Sequence, residues 1–220
     1  MNFVVRGAIF DFDGVIVDSH PVHKRAWRKL FESVGRTASE EELQFVLDGR
    51  KREDILRHFL GDLGPSLMTE YGHRKEQFFR EEAAGVQAMG GLLDFLEDLT
   101  DSHVALAIAS SATRSRVTFL LDRLGLKKHF RVVVTRDEVE QGKPDPAIFL
   151  RAAQDMGLDP AELLAFEDAL SGVKAARSAG MICVGIAPPD RTSILLDAGA
   201  DHVLPDFCGL SYSKLQELFD

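Results

Sequence analysis

The sequence predicts an α/β protein: a parallel sheet covered by helices, with a helical segment inserted near its start. The first observation is a series of short apolar runs, which are typical of strands buried on both faces. The second is that helical patterns separate the later runs, and the third is a long stretch of helical periodicity after the first run. The apolar runs lie at residues 4–10, 104–109, 131–135, 163–166, 182–186 and 202–204.

Alternation of strands and helices is clearest from residue 104 onward. Strands that alternate with helices indicate parallel pairing, because each helix carries the chain back across the sheet. Glycines 125, 157, 180 and 199 follow four of these helices, where a left-handed C-cap favours a residue without Cβ. We therefore predict a Rossmann-like parallel sheet core. Its helices are expected at about 114–124, 146–156, 171–179, 192–198 and 211–219.

Helical periodicity replaces this alternation between the first run and residue 104, over about 75 residues. One apolar stripe consists of Val22, Ala26, Leu30, Phe31 and Val34. Further helical stretches are expected near 39–47, 52–61 and 66–82. This is too long for a simple crossover between neighbouring strands. We predict a helical insertion domain at 15–86, with 1–14 and 87–220 forming the core domain.

Composition excludes several classes of protein. The 220 residues include 45% hydrophobic and 28% charged residues, which is typical of a soluble globular chain. A net charge of −9 without a basic tract argues against nucleic-acid binding. No run approaches the ~20 apolar residues that cross a bilayer, and residues 1–14 do not resemble a signal peptide. We expect a cytoplasmic monomer without nucleic-acid or membrane partners.

Two aspartates directly follow the first apolar run. Asp11 and Asp13 stand at its C-terminal end, and Gly14 would allow a sharp turn there. Open α/β sheets bind ligands at this edge. Acidic residues at strand ends also act simply as turn formers, so this segment alone leaves both interpretations open.

A pair of serines ends the second run. Ser110 and Ser111 precede a predicted helix, whose free N-terminal amides would suit a phosphate group. The alternative is an ordinary serine N-cap.

A lysine follows the third run, within the segment Gly142-Lys143-Pro144-Asp145-Pro146. The prolines would set the entry into the next helix and hold Lys143 near it. A fixed ammonium group could stabilise phosphoryl charge. The alternative is a solvated loop lysine.

Two adjacent acids, Glu167 and Asp168, end the fourth run. Carboxylates at the end of a buried strand are costly unless they are capped, exposed or bound to a cation. Oxygen ligands without His or Cys favour Mg²⁺ over zinc. The alternative is that Asp168 caps the following helix.

These four segments fall at the same edge of one predicted sheet, and their order carries a resemblance. The chain resembles the haloacid dehalogenase-like hydrolase superfamily in four motifs, which occur in the same order: Asp-x-Asp-Gly, Ser-Ser, Gly-Lys-Pro-Asp and Glu-Asp. The resemblance extends over almost the whole chain. The subfamily that it resembles carries a helical cap inserted after the first motif.

The resemblance implies a phosphoryl-transfer mechanism. Asp11 would be the nucleophile and form an aspartyl-phosphate, which splits one difficult displacement into two easier ones. Asp13 would protonate the leaving oxygen and later deprotonate the acceptor, so it must be protonated at first. Ser110 and Lys143 would contact the transferring phosphoryl group, with Ser111 beside them in substrate binding.

The resemblance also implies a metal site. Mg²⁺ would be held by the Asp11 carboxylate, the Asp13 backbone carbonyl and Asp168, with Glu167 nearby or acting through water. Dehalogenase members of the superfamily lack the full metal-binding set, so its presence here favours phosphate chemistry.

Within the insertion, segments 18–27 and 48–54 resemble β-phosphoglucomutase and related sugar-phosphate phosphatases. In that group the residues matching His23 and Arg52 face the substrate, and Lys75 resembles a cap lysine of the same group. Purely structural roles are open as well. His23 would then be a surface residue beside the packing face of Trp27, and Arg52 would pair with nearby acids for under ~1 kcal/mol.

The substrate is expected to be a small phosphorylated metabolite. A mutase needs a second phosphate site, and this chain has Ala112-Thr113-Arg114 where β-phosphoglucomutase carries a Lys-Asn pair; Arg114 could substitute for it. We therefore favour a phosphatase for a sugar or polyol phosphate, with the mutase as second choice. A non-catalytic phosphate-binding module on the same fold is the alternative from another class.

Overall fold

The computed structural model of the protein describes residues 5–47 and 49–219. The described chain forms two compact units: one contains the residues up to Val17 and from Ala88 onward, and the other is Asp18–Gln87. The predicted insertion, 15–86, differs from the second unit by three residues at one end and one at the other.

The strands of the described chain are short. Six of them form one parallel sheet in the order β5-β4-β1-β6-β7-β8, and the other two pair as β2-β3. The strands are β1 Gly7–Phe10, β2 Val17–Asp18, β3 Gln87–Ala88, β4 Ala105–Ser110, β5 Val132–Thr135, β6 Leu163–Glu167, β7 Ile182–Ile186 and β8 His202–Leu204. The six predicted strands and their parallel pairing are confirmed, although residue 4 of the first run lies outside the described residues.

Helices separate the sheet strands as the sequence predicted. In the first unit they are α4 Leu92–Asp101, α5 Arg114–Leu124, α6 Ala147–Met156, α7 Leu170–Ser178, α8 Thr192–Asp197 and α9 Tyr212–Glu217. In the second unit they are α1 His20–Ser33, α2 Arg52–Leu60 and α3 Pro65–Glu82, with a 3-10 helix at Glu42–Leu47. No helix among the described residues is both long enough and apolar enough to cross a membrane.

Strand β1 lies at the centre of the large sheet, and all four of its residues are buried. It pairs with β4 on one side and β6 on the other, with Phe10 opposite Ile108 and Phe166. The apolar composition of these strands follows from this position, because helices cover a parallel sheet on both faces. The carboxyl ends of β1, β4 and β6 consequently meet at one edge.

Aromatic rings pack beneath that edge. Phe10 stacks on Phe166 with ring centroids 4.7 Å apart. Phe207 lies edge-on to Phe166 at 5.5 Å and stacks on Phe95 at 5.4 Å. Phe10, Phe95, Phe166 and Phe207 are almost fully buried. Since Phe10 and Phe166 immediately precede Asp11 and Glu167, the packing of this cluster fixes the backbone position of both acidic residues at the end of the sheet.

The second unit has its own apolar core. Val22, Ala26, Leu30 and Phe31 of the predicted stripe are buried, whereas Val34 is half-buried at the C-cap of α1. Other members of this core are Trp27, Leu43, Val46, Ile55, Leu56 and Phe59.

Gly91 permits a close backbone approach that we expect to be essential for the first unit. It has φ +71°, and a Cβ there would lie 2.5 Å from backbone atoms of Phe207 and Cys208. Gly157 has φ +69° but no heavy atom within 4 Å of its would-be Cβ. Gly157→Ala should therefore cost only the left-handed strain, about 1–2 kcal/mol. Gly91→Ala should cost more than twice as much.

Urea unfolding measures both losses from the shift in midpoint at unchanged slope. The matched conformations of the two glycines isolate the steric effect. Equal losses in the two variants would contradict the predicted close approach of Gly91 to Phe207 and Cys208.

Candidate active site

Asp11 and Glu167 lie side by side where β1 and β6 end. The Asp11 amide donates to the Phe166 carbonyl at 2.9 Å, which continues the parallel ladder one residue past β1. Both acidic side chains are buried, although strand ends of open sheets are commonly solvated. This is the edge at which such sheets bind ligands.

Lys143 joins the two carboxylates. Its Nζ donates to Asp11 Oδ1, to Glu167 Oε1 at 2.5 Å and to the Ala109 carbonyl at 3.0 Å. Only 3% of the Lys143 side chain is exposed, so the solvated-loop alternative is wrong. The structure places Lys143 at this edge of the sheet, where three hydrogen bonds hold it.

Glu167 is held from its other side by backbone amides. Its Oε2 accepts from Asp168 N at 3.0 Å and from Ala169 N at 3.1 Å. A Cβ at Gly172 would lie 1.8 Å from Glu167 Oε1, so the first turn of α7 leaves room for the carboxylate only because residue 172 has no side chain. The N-cap of α7 is Ala169, so Asp168 lies one residue before it.

Burial governs the ionisation of this cluster. Desolvation raises the pKa of Asp11 well above its usual value; the charge of Lys143 opposes that rise, whereas Glu167 and Asp168 add to it. Desolvation also raises the pKa of Glu167. Burial alone would lower the pKa of Lys143, but the attraction of Asp11 and Glu167 outweighs it and raises that pKa. Lys143 therefore stays charged, whereas the raised pKa values of Asp11 and Glu167 show that burial disfavours their ionised forms.

A divalent cation would favour the ionised forms of these carboxylates. Asp11, Glu167 and Asp168 each offer a carboxylate oxygen, and these oxygens lie within 4.8 Å of one another. Three buried carboxylates lie together with the Lys143 ammonium, and a bound cation would offset the negative charge that such a cluster concentrates when it is ionised. Hard oxygen donors of this kind suit Mg²⁺. The contribution of the Asp13 backbone carbonyl stays a prediction.

The serine pair forms a turn at the end of β4. Ser110 is buried, and its Oγ accepts from the Ala112 amide at 3.0 Å. Ser111 is exposed. The N-cap of α5 is Thr113, so the N-cap alternative for the serines is wrong. The structure places Ser110 on the strand next to Asp11, while its contact with phosphate stays a prediction.

Asp13 has a partner that the sequence reasoning missed. Its Oδ2 accepts from Nη2 of Arg116 at 2.6 Å. Arg116 shares the buried face of α5 with Val117, Leu120 and Leu121. The signal was present in the sequence, because a charged residue on the apolar face of a helix needs a buried partner.

Arg114 is bound to the core rather than projecting freely. Its guanidinium donates to Glu138 Oε1 and to the Val133 carbonyl, both at 2.7 Å, and its backbone amide donates to Asp137. These contacts give Arg114 a structural role. Its role in a second phosphate site stays a prediction.

The three substrate-binding candidates of the second unit divide into a pair and a separate arginine. Lys75 is buried, and its Nζ lies 2.9 Å from His23 Nδ1. Arg52 donates to Glu53 at 3.2 Å, which agrees with the predicted ion pair, and packs where Gly72 of α3 has no side chain. Their substrate contacts stay predictions, and Asp48 of segment 48–54 lies outside the described residues.

Comparison with known proteins identifies the family. Residues 8–186 match the family described as Haloacid dehalogenase-like hydrolase. A phosphorylated carbohydrates phosphatase of Thermotoga maritima is 33% identical over 200 residues, covering 89% of this chain and 92% of that protein. A β-phosphoglucomutase of Mycobacterium bovis is 33% identical over 240 residues, covering 94% and 91%.

A solved structure agrees with this result. The crystal structure of a family IA, variant 3 hydrolase from Entamoeba histolytica superposes with a TM-score of 0.88 at 25% identity, covering 97% of this chain and 99% of that one. Since the family match spans most of the chain and the relatives align along nearly all of it, this protein belongs to the haloacid dehalogenase-like hydrolases, as its motifs predicted.

Proposed function

We propose that the protein transfers phosphoryl groups with Mg²⁺ through an aspartyl-phosphate on Asp11, and that it hydrolyses a small phosphomonoester such as a sugar or polyol phosphate. The observation that carries this proposal is the buried cluster at the sheet edge, in which Lys143 bridges Asp11 and Glu167. A nucleophilic carboxylate, a fixed cation and a divalent-metal site are the parts that phosphoryl transfer needs.

The first chemical step uses Asp11 and Asp13. An Asp11 oxygen attacks phosphorus as the bond to the leaving oxygen breaks, and Asp13 gives its proton to that oxygen. The Lys143 ammonium, already bonded to Asp11, stabilises charge on the phosphoryl oxygens, and Ser110 assists as a donor. Bound Mg²⁺ would supply further positive charge to the carboxylates and the phosphoryl group.

The second step restores Asp11. Asp13, now ionised, takes a proton from water, and the water oxygen attacks phosphorus while the bond to Asp11 breaks. Inorganic phosphate leaves. Asp13 therefore acts first as an acid and then as a base, which requires a defined position relative to both oxygens.

The substrate class rests on the relatives and on the second unit. One relative is named a phosphatase for phosphorylated carbohydrates. The resemblance of the second unit to sugar-phosphate enzymes, through His23, Arg52 and Lys75, supports the same class. The cytoplasmic location, the monomeric state and the absence of nucleic-acid and membrane partners stay predictions from composition.

A β-phosphoglucomutase activity is the second candidate, because a relative that is 33% identical carries that name. In that reaction a sugar hydroxyl would replace water in the second step. The engagement of Arg114 by Glu138 and Val133 favours the phosphatase, since the arginine would have to leave both partners to bind a second phosphate.

A non-catalytic phosphate-binding module has little support. Phosphate binding alone does not require a buried nucleophilic carboxylate beside a second aspartate, and burial of these groups is costly.

Asp11→Asn tests the mechanism. The variant keeps the shape of the side chain but loses its nucleophilicity, so we expect phosphate release to fall at least about a thousandfold. The measurement is phosphate release from a panel of phosphomonoesters, with and without Mg²⁺. Asp155→Asn, an exposed carboxylate on α6, serves as control and should match the wild type. Full activity in Asp11→Asn would show that the mechanism is wrong.

Mg²⁺ should raise the melting temperature, because it binds the folded carboxylate cluster. Asp168→Asn should lose most of this shift, whereas Asp155→Asn should retain it. The raised pKa values of Asp11 and Glu167 mean that protons compete with the metal up to higher pH than usual. The apparent affinity should therefore fall as the pH falls from neutral to mildly acidic.

Thermal shift titrations at several pH values measure both effects without relying on turnover. A melting temperature that does not change when Mg²⁺ is added would contradict the assignment of the metal site. An apparent Mg²⁺ affinity that is independent of pH would contradict it too.

The mutase is tested separately with β-glucose 1-phosphate and a catalytic amount of glucose 1,6-bisphosphate. We expect phosphate release and no glucose 6-phosphate, because Arg114 is held by the core. Accumulation of glucose 6-phosphate without phosphate would instead establish the second candidate.

A further inference from the structure

Arg116 lies at a position where an arginine is costly. It is in the first turn of α5, where a positive charge opposes the helix dipole. It is also 8% exposed, on the face of the helix that carries Val117, Leu120 and Leu121. The helix dipole and core packing would both be satisfied better by an apolar residue, so the charge itself requires an explanation.

The ion pair with Asp13 provides one. Arg116 Nη2 donates to Asp13 Oδ2 at 2.6 Å, and the two side chains are 9% and 21% exposed. A pair with so little solvent around it is screened far less than a surface pair. It is also charge-assisted and therefore directional.

The pair connects two neighbouring parts of the sheet edge. Asp13 lies in the turn after β1. Helix α5, which carries Arg116, follows the serine turn at the end of β4, and β4 pairs directly with β1. The two residues are 103 positions apart in the sequence. The contact therefore fixes the turn that carries Asp13 to the helix that begins beside Ser110 and Ser111.

We propose that Arg116 is a positioning residue for Asp13: it holds Oδ2, so that Oδ1 carries the proton of the acid form, and it thereby orients the carboxyl group for proton transfer to and from the substrate oxygen. This proposal rests on the proposed function and adds to it the residue that sets the geometry of the acid–base step. In this proposal Arg116 acts through Asp13 and not on the reacting atoms.

The role predicts a dependence on the leaving group. An alkoxide needs the Asp13 proton as its bond to phosphorus breaks, whereas p-nitrophenolate leaves without one. The value of kcat/KM depends on substrate binding and on the steps up to departure of the leaving group. It therefore reports on the first proton transfer and not on the later attack of water. Loss of positioning should consequently affect alkyl phosphates more than aryl phosphates.

The experiment compares Arg116→Met with the wild type on two substrates: p-nitrophenyl phosphate and the alkyl phosphomonoester that the panel shows to be turned over fastest. We expect kcat/KM for the alkyl ester to fall about tenfold or more, part of the usual contribution of acid–base catalysis, and for the aryl ester less than about threefold. Arg116→Lys should recover part of the alkyl activity. Arg123→Met, an exposed arginine on the same helix, is the control and should leave both values unchanged.

Equal losses on both substrates would overturn the proposal, because they would indicate general damage to the fold. Unchanged values in Arg116→Met would overturn it too. Should Arg116→Met fail to give a cooperative unfolding transition, Arg116→Gln and Arg116→Lys provide the same ratio of alkyl to aryl activity.

Asp13→Asn separates this proposal from the proposed function. If Asp13→Asn changes the ratio and Arg116→Met does not, only the role of Arg116 is wrong. If Asp13→Asn leaves the ratio unchanged, the acid–base assignment of Asp13 fails, and the role of Arg116 with it.

Discussion

The structure of the sheet edge depends on the burial of the Lys143 ammonium between the carboxylates of Asp11 and Glu167. Three strands end at this edge, and each contributes to the environment of the charge: β1 leads to Asp11, β6 ends in Glu167, and β4 supplies the Ala109 carbonyl. A buried ammonium is tolerated only when it is fully paired, so the positions of these groups depend on one another. Removal of one partner would leave the others without compensation.

The same charge balance connects structure to chemistry. The Lys143 ammonium lies against two of the three carboxylates of the cluster, and a cation bound there would offset more of their negative charge. Polar contacts also fix the side chains of the site. Backbone amides and the bare Cα of Gly172 orient Glu167, and Arg116 holds Asp13. Preorganisation of this kind is how a phosphoryl-transfer site stabilises developing charge without rearranging during the reaction.

Much of the fold and of the candidate site could be predicted from the sequence. The apolar runs indicated the strands because a strand that helices cover on both faces must consist mostly of apolar residues. The four polar segments could be recognised as motifs because each consists of a few consecutive residues. Contacts between distant residues could not be predicted in this way. The Arg116–Asp13 pair joins residues that are 103 positions apart in the sequence. The requirement for glycine at position 172 depends on the orientation of the Glu167 side chain. Arg114 was interpreted by its charge, whereas its partners Glu138 and Val133 belong to another segment.

The stacked rings of Phe10 and Phe166 have a consequence for the mobility of the acidic residues. Asp11 and Glu167 each follow one of these rings, and the rings pack against Phe95 and Phe207 in a close-packed interior. Such an interior resists expansion. The aromatic floor therefore limits how far the ends of β1 and β6, and with them the backbone of both acidic residues, can move apart.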